Sequence, residues 1–227
     1  GNVRTQWTYR DIAAYMMDRI WDKEVKAVKM GDGKNFYILH PSEDLGDDPI
    51  DPTKAYTVNP SYLSPATYRI FASIDPDPNH DWKGLADSAY TLLDAISQAP
   101  KGIDKKGNAG KTWNGTYPDW CEVTINPKGI INPKKTNLVR GFRYLTTDKA
   151  GKKQWQEKIT DKDGIFVIGP EKNRDIYKYE QTYDAVRVPF RIALDAIWHK
   201  DPTTIKFCQQ FVQKNVNLAN LPDDSIK

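Results

Sequence analysis

Apolar residues recur at helical spacing in several separate stretches of the chain, with polar residues between them. In the first stretch Thr8 is a candidate N-cap and Asp11 lies in the first turn, which is the usual start of a helix. In the third stretch, Asp81 to Gln98, the apolar residues lie along one face of the predicted helix and form a continuous stripe. The pattern predicts five helices, at Tyr9 to Val28, Tyr62 to Ser73, Asp81 to Gln98, Tyr183 to His199, and Asp201 to about Asn215.

The remaining segments are predicted to be mainly loop. Lys34 to Leu39 is a short apolar piece, and Pro41 to Thr57 is rich in Asp and Pro. From Pro100 to Asp175 the pattern is loop with brief extended pieces at Cys121 to Ile125 and Ile165 to Ile168. The sequence therefore predicts an all-α architecture with small β-like decorations.

Composition excludes several classes of protein. The chain has 227 residues, 39% of them hydrophobic, which is enough for a real core. Its 33 basic and 30 acidic side chains leave a net charge of +3, so charge makes no case for nucleic acid binding. The sequence contains no run of eighteen apolar residues, so it predicts no membrane-spanning helix. Cys121 and Cys208 cannot form a disulfide framework.

A carboxylate and a guanidinium stand three residues apart in the run Tyr183-Asp184-Ala185-Val186-Arg187-Val188-Pro189, where a helix is about to form. The (i, i+3) spacing places Asp184 and Arg187 on one helix face. The guanidinium favours the ionised carboxylate and holds its oxygens in a fixed direction, as a general base for water requires. The same spacing is also typical of an ordinary surface ion pair.

Metal-ligand patterns are weak. The run from Asp75 to Asp81 imitates the opening of a calcium loop, but His80 stands where a turn Gly is required and Ala86 where the bidentate Glu should be. We interpret it as a turn between two helices. Three scattered His and two distant Cys show no zinc spacing. The sequence predicts neither a metal nor another cofactor.

Four short motifs occur in a meaningful order along the chain. The early amphipathic helix is followed by Asn59-Pro60-Ser61-Tyr62 with its helix, and then by another helix with Pro118-Asp119-Trp120 after it. Tyr183-Asp184-Ala185-x-Arg187-x-Pro189 comes last. This order resembles glycoside hydrolase family eight, a family of inverting β-1,4-glycanases built as an (α/α)6 barrel.

The resemblance implies roles for these residues. Asp184 would be the general base, Arg187 would keep it ionised, and Tyr62 would position the water or the sugar. The implied substrate-binding residues are Tyr183, Trp120, Asp119 and Asn59, although the residue type of Asn59 fits a cap or turn better than a sugar ligand. The substrate would be a β-linked polysaccharide and the protein would be secreted, with any export signal removed or upstream of Gly1.

The length conflicts with a complete barrel. A closed (α/α)6 barrel has twelve helices and needs roughly 250 residues or more. We therefore expect residues 1–227 to form part of a single catalytic domain, incomplete in this chain, with a loop-rich insertion at about 101–178. None of the six Glu lies in the family's motif for the general acid. The acid is expected outside this chain, in the remainder of the domain, which is either the same polypeptide or a separate one.

Several functions stay open. Cellulose-like β-glucan is the first substrate considered, and xylan, mixed-linkage glucan and chitosan are alternatives that the same family serves. A hypothesis from another class is a non-catalytic carbohydrate-binding fragment, which keeps the groove and lacks the acid. Release of reducing sugar separates hydrolysis from binding alone.

Overall fold

The computed structural model describes residues 7–30, 33–41, 56–98, 116–125, 139–147, 150–159, 164–168 and 184–215. Helix is the main secondary structure of this part of the chain, which confirms the all-α prediction; the (α/α)6 arrangement and the domain limits stay predictions. The helices are α1 (Tyr9–Glu24), α2 (Pro65–Ile74), α3 (Trp82–Gln98), α4 (Arg187–His199) and α5 (Pro202–Asn215), with a 3-10 turn at Pro60–Tyr62. The strands are β1 (Val25–Lys29), β2 (Asn35–Leu39), β3 (Tyr56–Val58), β4 (Cys121–Ile125), β5 (Val139–Thr147), β6 (Lys153–Ile159) and β7 (Gly164–Ile168).

Helix α1 begins as its sequence predicts but ends earlier. The Thr8 hydroxyl accepts a hydrogen bond from the Asp11 amide, and the Asp11 carboxylate accepts one from the Thr8 amide, so the two residues form a capping box. The predicted helix ran to Val28, whereas the observed helix ends at Glu24 and β1 follows. The residues of β1 pair antiparallel with β2 from Val25 opposite Leu39, and this hairpin overrides the helical pattern.

The predicted stripe on α3 forms the centre of the core. Helices α2 and α4 pack together in the same core, which the side chains of β1 and β2 complete. Burial of these apolar groups supplies about 25 cal/mol for each Å² of apolar surface removed from water. The buried members of the stripe are Trp82, Leu85, Ala89, Leu92, Leu93 and Ile96.

A buried carboxylate joins four helices. Asp195 of α4 is fully buried, and its Oδ2 accepts hydrogen bonds from the Tyr90 hydroxyl at 2.7 Å and the Thr204 hydroxyl at 2.9 Å. The Nε of Arg69 on α2 lies 3.2 Å from Asp195 Oδ1. Burial raises the pKa of Tyr90, so its hydroxyl stays protonated as the donor. These contacts connect α2, α3, α4 and α5 at one point.

The second sheet is more extensive than the sequence predicts. Its strand order is β3-β4-β7-β5-β6, with β5 and β7 parallel and the other neighbours antiparallel. Strands β4 and β7 confirm the two predicted extended pieces, while β5 and β6 form a hairpin that the pattern missed. Four of the five strands lie inside the predicted insertion, and β4 pairs with β3 outside it. The part of the insertion that is described is therefore attached through backbone hydrogen bonds to the strand that precedes Asn59.

None of the helices in the described ranges combines the length and the apolar character that crossing a bilayer requires.

Candidate functional site

Three of the four motifs meet beside the end of β3. In the β3–β4 pair Val58 lies opposite Cys121, and continuing this antiparallel register brings Asn59 next to Trp120. The turn that begins at Asp184 reaches the same place, because α4 packs against the 3-10 turn and α2. Segments separated by more than fifty residues along the chain thus contribute to one cluster, which we call the Asp184 site.

The carboxylate of Asp184 is held at both oxygens. Its Oδ2 accepts a hydrogen bond of 2.9 Å from Asn59 Nδ2, and its Oδ1 lies 3.1 Å from Arg187 Nη2. The predicted (i, i+3) ion pair is confirmed. Because the Arg187 side chain is 49% exposed, we expect this pair to add only about 0–1 kcal/mol to the free energy of unfolding. Its main physical effect is to direct the carboxylate.

Asn59 has two roles in the site. Its Oδ1 accepts a hydrogen bond from the Ser61 amide at 2.9 Å, so it caps the 3-10 turn, as its residue type predicts. With Oδ1 engaged in this way, the amide group can be oriented in one sense only, with Nδ2 facing Asp184. The sequence pattern indicated the cap, and it contained no signal for the contact with a carboxylate 125 residues away.

Asp119 anchors the backbone of the turn that carries Asp184. The Ala185 amide donates a hydrogen bond of 2.9 Å to Asp119 Oδ1. The Arg187 and Val188 amides donate to the carbonyls of Asp184 and Ala185, at 3.0 Å and 3.1 Å, and close the turn. Asp119 was predicted to bind substrate; in the structure it contacts the backbone next to the predicted base, and a substrate contact stays a prediction.

Two aromatic rings belong to the segments that carry Asn59 and Asp119. Tyr62 is 38% exposed, and its ring packs edge-on against Trp120, with ring centroids 5.9 Å apart. The buried Tyr68 hydroxyl donates a hydrogen bond of 3.1 Å to the Tyr62 carbonyl. Burial raises the pKa of Tyr68, so this hydroxyl remains a donor. Flat amphipathic rings of this kind suit contact with a sugar face.

Most of the predicted site residues therefore lie together. Asp184, Arg187, Asn59, Asp119 and the Tyr62–Trp120 pair form one connected cluster. The Asp184 side chain is 23% exposed, so water can reach it while its direction is fixed. Such a carboxylate is able to accept a proton from a bound water. Tyr183, the remaining candidate, lies outside the described residues.

Comparison with known proteins points in the same direction as the motifs. The chain is 30% identical over 91 residues to Endoglucanase A of Acetivibrio thermocellus, an alignment that covers 40% of the chain. It is 22% identical over 219 residues, or 96% of the chain, to Endoglucanase 2 of Ruminiclostridium josui. Endoglucanase C of Ruminiclostridium cellulolyticum is 25% identical over 167 residues, which is 73% of the chain.

The chain is similar to endoglucanases. It spans only part of each relative, namely 15%, 31% and 23% of their lengths in the order given above. No family model matches the chain. The comparisons thus agree with a glycoside hydrolase in general, and the assignment to family eight stays a prediction.

Proposed function

We propose that this protein hydrolyses β-1,4-glycosidic bonds in a polysaccharide, with a cellulose-like β-glucan as the first substrate, and that it inverts the anomeric centre. The observation that carries the proposal is the Asp184 carboxylate, held at one oxygen by Asn59 and at the other by Arg187. The similarity to three endoglucanases supports the same class of reaction. A secreted location follows from a polymeric substrate.

In the proposed mechanism Asp184 takes a proton from a water that attacks the anomeric carbon. A separate carboxylic acid protonates the leaving oxygen on the other face of the sugar. The two carboxyl groups of an inverting glycosidase stand roughly 6.5–9.5 Å apart, which leaves room for the water. None of the six Glu of the chain is assigned as this acid. We propose that the acid lies outside these 227 residues, in the remainder of the catalytic domain.

The aromatic pair and Asp119 have different proposed tasks. Tyr62 positions the water or the sugar at the cleavage point, and Trp120 lies against the sugar beside it. Asp119 keeps the Asp184 turn in place through the Ala185 amide. Tyr183, which neighbours the base in sequence, belongs to the same proposed binding surface.

The direct test is reducing-sugar release by the complete gene product from carboxymethyl cellulose, xylan, lichenan and chitosan. We expect the highest rate on a β-1,4-glucan, and proton NMR of the first product should show the α-anomer, because inversion converts a β-linkage. If xylan, lichenan or chitosan is cleaved fastest, the reaction class stands and the substrate changes. Absence of release from all four, with retained affinity for one of them, would identify a carbohydrate-binding fragment.

Substitution of Asn59 tests how the base is held. We expect Asn59→Ala to lower kcat about ten- to a hundredfold, since a hydrogen bond to a charged group is worth about 1.5–3 kcal/mol. The KM should change little, because Asn59 acts through Asp184. The rate of reducing-sugar release against substrate concentration measures both constants.

Ser61→Ala is the matched control for this change. The Ser61 hydroxyl is buried in the same turn and has no hydrogen-bond partner among the described residues. Its removal should leave kcat within about twofold of the unmodified protein. If both variants lose the same amount of kcat, the loss comes from disturbance of the 3-10 turn and not from removal of the contact between Asn59 and Asp184.

A further inference from the structure

A buried imidazole lies between α1 and the connection from α2 to α3. The side chain of His80 is 4% exposed. The ring of Trp21 stacks on it, with centroids 5.2 Å apart and planes inclined by 27°. The ring of Trp82 meets it edge-on. These contacts fix the plane of the imidazole, so its two nitrogens point in defined directions.

One nitrogen of this ring is already engaged. His80 Nδ1 lies 2.8 Å from Asp75 Oδ2. The Asp75 carboxylate also accepts hydrogen bonds from the Trp82 indole N–H and the Asp77 amide, two groups that can only donate. Asp75 is therefore an acceptor, and Nδ1 carries the proton in the bond between them. The neutral ring then presents a lone pair at Nε2.

Carboxylates gather around the same ring. Asp18 and Asp22 stand one turn apart on α1, which places them on one helix face. One oxygen of each and one ring nitrogen of His80 all lie within 4.8 Å of one another. Asp77 Oδ2 is 3.5 Å from Nε2, which is longer than an ordinary hydrogen bond. Among the described residues no Lys or Arg forms an ion pair with Asp18 or Asp22.

A positive charge would stabilise this arrangement. Two carboxylates at (i, i+4) repel each other, and a lone pair at Nε2 adds to that repulsion. Either a proton on Nε2 or a metal ion placed among the three groups would balance it. The hydrogen bond from Nδ1 to Asp75 is the usual second partner of a metal-binding histidine, where it fixes the tautomer and makes the other nitrogen a better ligand.

We propose that Asp18, Asp22 and His80 bind a divalent transition metal, with Zn²⁺ as the first choice. One imidazole nitrogen and two carboxylate oxygens suit Zn²⁺, whereas Ca²⁺ and Mg²⁺ take oxygen ligands. Ligands of a tetrahedral zinc at about 2.1 Å are about 3.4 Å apart. Asp18 and Asp22 are exposed, so rotation of their side chains brings the oxygens together. Asp77 is placed to complete the coordination.

Such a site would have a structural effect. Among the described residues of helix α1, Met17 is the one that is buried. Ala14, Ile20 and Trp21 are only partly buried against the core. A metal joining Asp18 and Asp22 to His80 would attach this helix to the α2–α3 connection. The proposed metal site shares no residue with the Asp184 site, so it does not depend on the proposed function.

The test is thermal unfolding of chelator-treated protein with and without Zn²⁺, accompanied by calorimetric titration. We expect micromolar Zn²⁺ to raise the Tm by several degrees, Ca²⁺ to leave it unchanged, and titration to give one site per chain. The double variant Asp18→Asn/Asp22→Asn should lose this shift, and its fold should persist because both side chains are exposed. Asp11→Asn on the same helix is the matched control, and it should keep the shift.

Two results would overturn the proposal. The first is an equal Zn²⁺ shift in the unmodified protein and the double variant, which would indicate adventitious binding elsewhere. The second is a Tm that is insensitive to Zn²⁺, at pH 6 and at pH 8 alike. His80→Gln provides an additional check, since it should abolish the Zn²⁺ response while Asp11→Asn retains it.

Discussion

Asp184→Asn should lower the rate of reducing-sugar release by the complete gene product by about 10²–10⁴, the range that general acid–base catalysis contributes. An amide has the shape of a carboxylate and can still accept the hydrogen bond from Asn59, but it cannot take the proton from water. The loss should fall on kcat. Initial rates on soluble β-glucan, together with circular dichroism and thermal unfolding of the variant, measure both activity and fold.

Asp201→Asn is the matched control for that experiment. Asp201 caps α5, and its Oδ1 accepts hydrogen bonds from the Thr203 and Thr204 amides at 2.9 Å and 3.1 Å. The substitution removes a carboxylate outside the Asp184 site and preserves the capping oxygen, so activity should be retained. A variant at position 184 that keeps a third or more of the original rate would exclude Asp184 as the base.

Asp195→Ala should lower the free energy of unfolding by about 3–5 kcal/mol, the usual cost of removing one partner from a buried ion pair. The change leaves the Tyr90 and Thr204 hydroxyls and the Arg69 guanidinium without the carboxylate that they share. It also removes the point where four helices are connected. Urea unfolding followed by tryptophan fluorescence gives the free energy.

Tyr90→Phe calibrates this prediction. It deletes one hydrogen bond to Asp195 and keeps the ring in the core, so we expect a loss of about 1–3 kcal/mol, smaller than that of Asp195→Ala. If the two variants are equally stable, the carboxylate contributes nothing beyond its bond to Tyr90. A loss below about 1 kcal/mol for Asp195→Ala would contradict the view that this network holds the helices together.

Helices were the easiest elements to predict from the sequence. Their apolar stripes, the Thr8–Asp11 capping box and the Asp201-Pro202 start are local signals, because each depends on residues within one or two turns. The errors lie at the ends. The predicted helix at Tyr183 to His199 begins only at Arg187, since the residues from Asp184 onward form a turn anchored by Asp119.

Strands β5 and β6 show the opposite case. The segment Lys153–Ile159 has only two apolar residues, Trp155 and Ile159, so it contains little of the alternation that identifies a strand. Its strand conformation comes from pairing with β5, where Arg143 lies opposite Glu157 and Leu145 opposite Trp155. A partner elsewhere in the chain provides what the local pattern lacks.

The motifs brought together the residues of the candidate site. The (i, i+3) spacing alone was sufficient for the Asp184–Arg187 pair, because the turn from Asp184 to Arg187 brings residues three apart close together. Contacts across the chain had no such signal: Asn59 with Asp184, Asp119 with the Ala185 amide, and His80 with two aspartates of α1. They depend on the β3–β4 register and on how α1, α2 and α4 pack. Local chemistry can be inferred from neighbouring residues, whereas the partners that fix each carboxylate are set by long-range packing that no single segment encodes.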